Sequence, residues 1–130
     1  MEMKSISFLI LNQEFNIHRF ESGEDIPSAV CSSTPFFIGK TRDELSIVCD
    51  ASLEIDSRDV NRNWSCFRID GTLDFSLTGI LSGISTALAD KEISFFVVST
   101  FDTDYILVKS SNLTGAMNAL KSAGYSFRKD

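Results

Sequence analysis

The chain has 130 residues, 43% of them hydrophobic, and a formal net charge of −6. That is enough apolar material for one ordinary domain or two small ones sharing a core, and it argues against disorder. Acidic residues outnumber basic ones by 18 to 12 with no basic block. Nucleic acid and anionic membrane surfaces are therefore not expected partners, because neutralising phosphates needs clustered Lys and Arg.

The first segment, Lys4 to Leu11, reads as a strand. Its apolar run from Ile6 to Leu11 is interrupted by Ser7 and lacks a basic start and a small-residue cleavage site, so it does not read as a signal peptide. No stretch approaches the length of a membrane span. A tight turn at Asn12-Gln13 is expected to lead into a second strand, Glu14 to Phe20. Pro27 suits the first turn of a short helix running to about Ser32. Phe36 to Gly39 and Leu45 to Cys49 read as two strands joined by "KTRDE". Arg58 to Asn61 is polar, a short helical turn or a linker.

The second half is more regular. Trp64 to Asp70 alternates like a strand and Gly71 breaks it. Leu77, Ile80, Leu81, Ile84 and Leu88 then form one stripe of an amphipathic helix. Asp74 or Ser76 is placed to cap it. Gly79 and Gly83 lie one turn apart on it. Each costs roughly 1 kcal/mol against Ala in a helix interior, which implies close approach of another group. Ile93 to Thr100 is a strand apolar on both faces, expected to be covered on both sides. Tyr105 to Lys109 is its partner. A helix from Asn112 shows Leu113, Ala116, Met117 and Leu120 on one face, and Gly124 stands where a left-handed cap belongs. Tyr125 to Arg128 is the last strand. The order from Trp64 onward is β-α-β-β-α-β, the ferredoxin-like arrangement. The first half has a similar order, so a divergent duplication is suspected, although no residue-level repeat is visible. The expected division is 1–62 and 63–130.

Cys31, Cys49 and Cys66 are widely spaced and contain no CxxC, so buried reduced thiols in a cytoplasmic protein are expected. The sequons at Asn63 and Asn112 then carry no meaning. "GKT" at Gly39 to Thr41 lacks the upstream glycine and following helix of a phosphate loop. Asp102-Thr103-Asp104 supplies too few oxygens for calcium. His18 is the single histidine, with no triad partner in view, and is read as structural or surface. What stands out is "STFDTDY". Ser99, Thr100, Asp102, Thr103 and Asp104 put five hydrogen-bonding side chains into six positions at the end of an apolar strand. Asx-type turn closure accounts for part of this. The surplus fits the lining of a polar ligand site.

"DELSIVCD" (Asp43 to Asp50), "GTLDFSLTGIL" (Gly71 to Leu81) and "ISFFVVSTFDTDYILVK" (Ile93 to Lys109) resemble the small bacterial tandem ACT proteins. They are similar to the CASTOR arginine sensors and to the regulatory ACT domains of aspartate kinases. The resemblance implies an α+β fold of tandem ferredoxin-like βαββαβ modules, with antiparallel sheets and helices on one face. It also implies a non-catalytic, cytoplasmic regulator or sensor that binds a small effector, typically an amino acid, without a cofactor or metal. Such modules pair, so a homodimer or a partner enzyme is implied. By the same resemblance the effector would meet Asp74, Phe75, Ser76, Leu77, Thr78, Gly79 and Ile80, with Ser99, Thr100, Asp102, Thr103 and Asp104. Thr41, Asp43, Glu44, Leu45 and Ser46 would be the symmetric counterpart. The helix start offers free amides to a ligand carboxylate, and the aspartates offer acceptors to an ammonium. The rival reading is an interaction module that pairs edge strands with a partner chain and takes no ligand.

Overall fold

A computed structural model describes residues 6–70 and 79–129. Gly71, Asp74, Ser76 and Leu77, assigned above as breaker, caps and stripe, lie outside the described residues. Seven strands and three helices are described: β1 (Ser7–Phe20), α1 (Ser28–Cys31), β2 (Phe37–Lys40), β3 (Leu45–Asp50), β4 (Asp59–Ile69), α2 (Ile80–Ala89), β5 (Phe95–Ser99), β6 (Asp104–Lys109), α3 (Leu113–Ser122) and β7 (Ser126–Lys129). A single 3-10 turn, Ser110–Asn112, leads into α3.

The chain divides into two compact units. One is Gln13–Trp64; the other joins the segment ending at Asn12 to the segment from Ser65 onward. Both boundaries fall inside strands, β1 and β4. The sequence-based division at 62/63 left the N-terminal strand with the first unit, whereas its contacts place it with the second.

In the unit from Ser65 onward, the strands run β1-β4-β6-β5, with β7 on the other side of β1. β7 pairs β1 in parallel, Phe8 opposite Phe127 and Ile10 opposite Lys129. The N-terminal strand therefore lies between β4 and β7, which a simple βαββαβ order does not contain. The core gathers Phe8 and Ile10 of β1, Phe67 and Ile69 of β4 and Ile106 and Val108 of β6 against α2 and α3. The helices contribute Ile84, Leu88, Ala116 and Leu120. Edge-to-face and tilted contacts among Phe8, Phe67, Tyr125 and Phe127, all with ring centroids 5.1–5.3 Å apart, fill the β7 end.

The helical stripe read from sequence is met at Ile84 and Leu88, but Leu81 is 40% exposed. α3 starts at Leu113, one residue after the expected Asn112, which precedes it as the capping position. Gly124 takes φ +101°, and Tyr125 N donates to Leu120 O to finish the helix. Gly83 explains its own place. A β-carbon there would stand 2.6 Å from the Tyr125 hydroxyl. β5, expected to be covered on both faces, is half-buried along Phe95 to Val98 because it ends the strand order.

In the Gln13–Trp64 unit the order is β2-β3-β1-β4. β3 pairs β1 antiparallel from Phe15 opposite Asp50 to Phe20 opposite Leu45. Phe20, Val30, Leu45, Ile47 and Cys49 form the core, with Phe36, Leu53 and Ile55 packed against it. The expected turn at Asn12-Gln13 is absent, and β1 runs unbroken for 14 residues. Neither residue offers the positive φ of a tight hairpin turn, and both flanks have strand partners. Arg58–Asn61, read as a helical turn or linker, is mostly strand, because β4 begins at Asp59. Of the thiols expected to be buried, Cys49 and Cys66 are, but Cys31 is exposed.

Candidate functional site

The hairpin that drew attention in the sequence joins β5 to β6. Thr100 closes it: its amide donates to Thr103 O at 2.9 Å and its hydroxyl donates to the same carbonyl at 3.0 Å. Thr103 N returns a bond to the Thr100 hydroxyl at 3.3 Å. The Thr103 hydroxyl is buried and donates to Ile69 O at 3.1 Å, tying the turn to the end of β4. Two of the five polar side chains are thus structural. Asp102 and Ser99 are exposed. Asp104 is different, a carboxyl group 9% exposed at the first position of β6, opposite Ser99.

The β2–β3 hairpin is built in the same way. Thr41 N donates to Glu44 O at 2.9 Å, and the Thr41 hydroxyl accepts from Asp43 N and Glu44 N, both at 3.2 Å. Arg19 Nη2 donates to Asp43 O at 3.2 Å, and the Ser46 hydroxyl donates to a Glu44 carboxylate oxygen. The registers coincide. Ile38 faces Ile47 and Lys40 faces Leu45, as Val97 faces Ile106 and Ser99 faces Asp104. Each of these pairs lies 59 residues from its counterpart. At that offset Phe36-Phe37 meets Phe95-Phe96, Thr41 meets Thr100, Asp43 meets Asp102 and Ile47 meets Ile106. The two hairpins thus share a register and these matching positions, a correspondence not seen in the sequence by itself. The two differ at one informative place. Where the first has Leu45, 1% exposed in its core, the second has Asp104. Leu45, named above as a ligand contact, is a core side chain.

Of the remaining expected contacts, Asp74, Phe75, Ser76 and Thr78 lie outside the described residues. Gly79 precedes α2 with φ +85°, a left-handed conformation that only glycine adopts cheaply, and its carbonyl accepts from Gly83 N at 3.0 Å. Ile80 opens α2 and packs against the core. The structure therefore describes the hairpin wall and the first residues of the helix of the expected site.

His18 was set aside in the sequence and is the buried polar group that most needs explaining. It is 2% exposed. Its Nδ1 lies 2.8 Å from Ser57 Oγ, and its Nε2 has no hydrogen-bond partner among the described residues. Burial first, and then the Arg62 charge, hold its pKa below the usual imidazole value. No sequence motif marked it, since its surroundings come from a loop 39 residues away.

The ACT-domain family pattern matches residues 59–122. A crystal structure of a protein from Agobacterium tumefaciens is 37% identical over 98% of this chain and 96% of that one, with a TM-score of 0.89. This chain belongs to the ACT-domain proteins. The regulatory subunit of aspartate kinase from Thermus flavus matches 95% of this ACT-domain chain and 99% of its own, at 10% identity and TM-score 0.64. Aspartate kinase from Clostridium acetobutylicum, described as an allosteric enzyme, matches 87% of this chain but 33% of its own, at 15% identity and TM-score 0.65. At those identities the likeness is one of fold, and the fold is that of aspartate kinase regulatory ACT domains. ACT domains are regulatory, ligand-binding modules, and that general role extends to this chain. Among the described residues no helix is long and apolar enough to cross a membrane.

Proposed function

We propose that this chain is a non-catalytic, cytoplasmic sensor or regulatory partner built from two ACT modules in tandem, and that its effector is an amino acid. The β5–β6 turn forms one wall of the site and the start of α2 the other. The observation that carries this is Asp104. Its counterpart in the sister hairpin is a core leucine. Burying an acidic side chain costs free energy that packing does not return, and an ammonium ligand supplies the reason to keep it. Gly79 takes a left-handed φ at the start of α2 and leaves that position without a side chain. Asp74, Phe75, Ser76 and Thr78 belong to the proposed site on the family resemblance. The shared register and the Thr-x-Asp repeat support duplication of the module.

Thermal shift against the common L-amino acids tests the reading. One ligand should raise Tm, and Asp104→Asn should lose that response while keeping the fold. Asp102→Asn, at an exposed position, should keep it. No response to any amino acid, or an undiminished response in Asp104→Asn, refutes the assignment.

A second reading is favoured by one observation. Phe101 is 84% exposed at the tip of the same hairpin, beside the edge strand β5. An exposed aromatic next to an edge strand suits pairing with a second copy or a partner enzyme. Phe101→Asp should lower the molar mass found by light scattering if that pairing occurs, and leave it unchanged if it does not.

A further inference from the structure

The β2–β3 hairpin has the register of the β5–β6 hairpin but not its chemistry. We propose that the chain takes no more than one effector. The β5–β6 hairpin binds it and the β2–β3 hairpin serves only the fold. The residue that opens the second strand of each hairpin, Asp104 or Leu45, decides between them. This rests on the reading of Asp104 given above, and adds to it a site count and the residue that sets it.

An ammonium group leaving water needs a negative acceptor. β3 opens with Leu45 where β6 opens with Asp104. Leu45 is 1% exposed and packed with Phe20, Val30, Ile47 and Cys49, so this position offers only methyl groups. The neighbouring carboxylates do not replace it. Glu44 already accepts from the Ser46 hydroxyl. Asp43 is exposed, where water screens an ion pair to little net value. Thr41 has no hydrogen-bonding capacity to spare: its hydroxyl accepts two amides and donates to Glu44 O at 3.4 Å. The hairpin also carries its own cation. Arg19 Nη2 donates to Asp43 O at 3.2 Å and Nη1 to Phe20 O at 3.4 Å. That positive charge beside the turn repels an ammonium. The helix wall differs as well. α2 has 10 residues and follows the left-handed Gly79. α1, packed through Val30 in the same core as Leu45, has 4 residues and follows Pro27, which has no N–H to offer. A single turn sums few peptide dipoles, so it gives a ligand carboxylate little to bind. Both ends of a zwitterion are thus left without partners at the β2–β3 hairpin.

Isothermal titration calorimetry with each common L-amino acid in turn counts the sites. An amino acid that raises Tm should bind with no more than one equivalent per chain. Asp104→Leu, which gives the second hairpin the residue of the first, should abolish the heat. Asp43→Asn and Glu44→Gln, which remove the carboxylates of the first hairpin, should leave affinity and site count unchanged. The count and these two variants decide the matter even where Asp104→Leu does not fold, as judged by circular dichroism. Two equivalents per chain, or a loss of about tenfold or more in Asp43→Asn or Glu44→Gln, overturns the inference and leaves the β5–β6 reading standing. No heat from any amino acid, or undiminished heat in folded Asp104→Leu, overturns that reading and the inference with it.

Discussion

At the scale of single residues, burial and hydrogen bonding decide which ionisable groups matter. Asp70 is held in a two-pronged pair with Arg128, at 2.7 and 3.0 Å, and this pair keeps its carboxyl below the usual value of 3.8. A lowered carboxyl pKa contributes stability that is present above the unfolded value and is lost as pH falls through the folded one. His18 acts in a higher window. Its folded pKa lies below 6.5, so the unfolded chain takes up a proton first and stability falls as pH drops through that value. Urea midpoints should therefore decline in two steps on acidification, near and below 6.5 and again below 3.8. Arg128→Met should abolish the lower step alone; a single step in the unaltered chain would contradict this. The thiols divide as sharply. Burial pushes the Cys66 thiol up to about 12 and raises Cys49, while Cys31 is exposed. A thiol reagent should label Cys31 alone until the chain unfolds. Finding three equally fast thiols under native conditions would refute that burial pattern.

At the scale of elements, the α2–α3 contact was half legible. The spacing of Ile84, Leu88, Ala116 and Leu120 identified both helices and their inner faces. Gly83 on α2 announced a close approach without naming the partner, because that partner, Tyr125, lies beyond the next helix, whereas Gly79 precedes the helix and a β-carbon there meets nothing within 4 Å. Gly83→Ala should cost about 1–3 kcal/mol from overpacking, although alanine favours a helix by about 1 kcal/mol. Adding Tyr125→Phe removes the hydroxyl that the new methyl would strike and should restore stability. If the double variant is no better than Gly83→Ala in chemical denaturation, the crowding argument fails. The β hairpins were legible as strands and turns. Their shared register was not, since Thr41 and Asp43 align with Thr100 and Asp102 only once the ladders fix an offset. The strand at Arg58–Asn61 was missed because its exposed residues carry no apolar alternation.

At the scale of the whole chain, β1 and β4 each contribute residues to both compact units. Unfolding should accordingly be a single transition. The lone Trp64 lies in the Gln13–Trp64 unit, whereas α2 and α3 lie in the other, so two probes separate them. Tryptophan fluorescence and helical circular dichroism should share one urea midpoint. Phe8→Ala, which removes a fully buried ring from the α2–α3 core, should lower the unfolding free energy read by both probes by about 3–5 kcal/mol. Separate midpoints would show that the strands do not couple the units. The sequence alone determined the α+β class, the β-α-β-β-α-β order after Trp64, the ACT resemblance and the prominence of the β5–β6 turn. Those features are local, written in periodicity and turn chemistry within a few residues. Tertiary structure decided where the N-terminal strand pairs, that Thr100 and Thr103 serve the turn, that Asp104 is buried, and that His18 lines a cavity. Each of those depends on residues distant in the chain, and burial and hydrogen-bond satisfaction exist only once the sheet has brought them together.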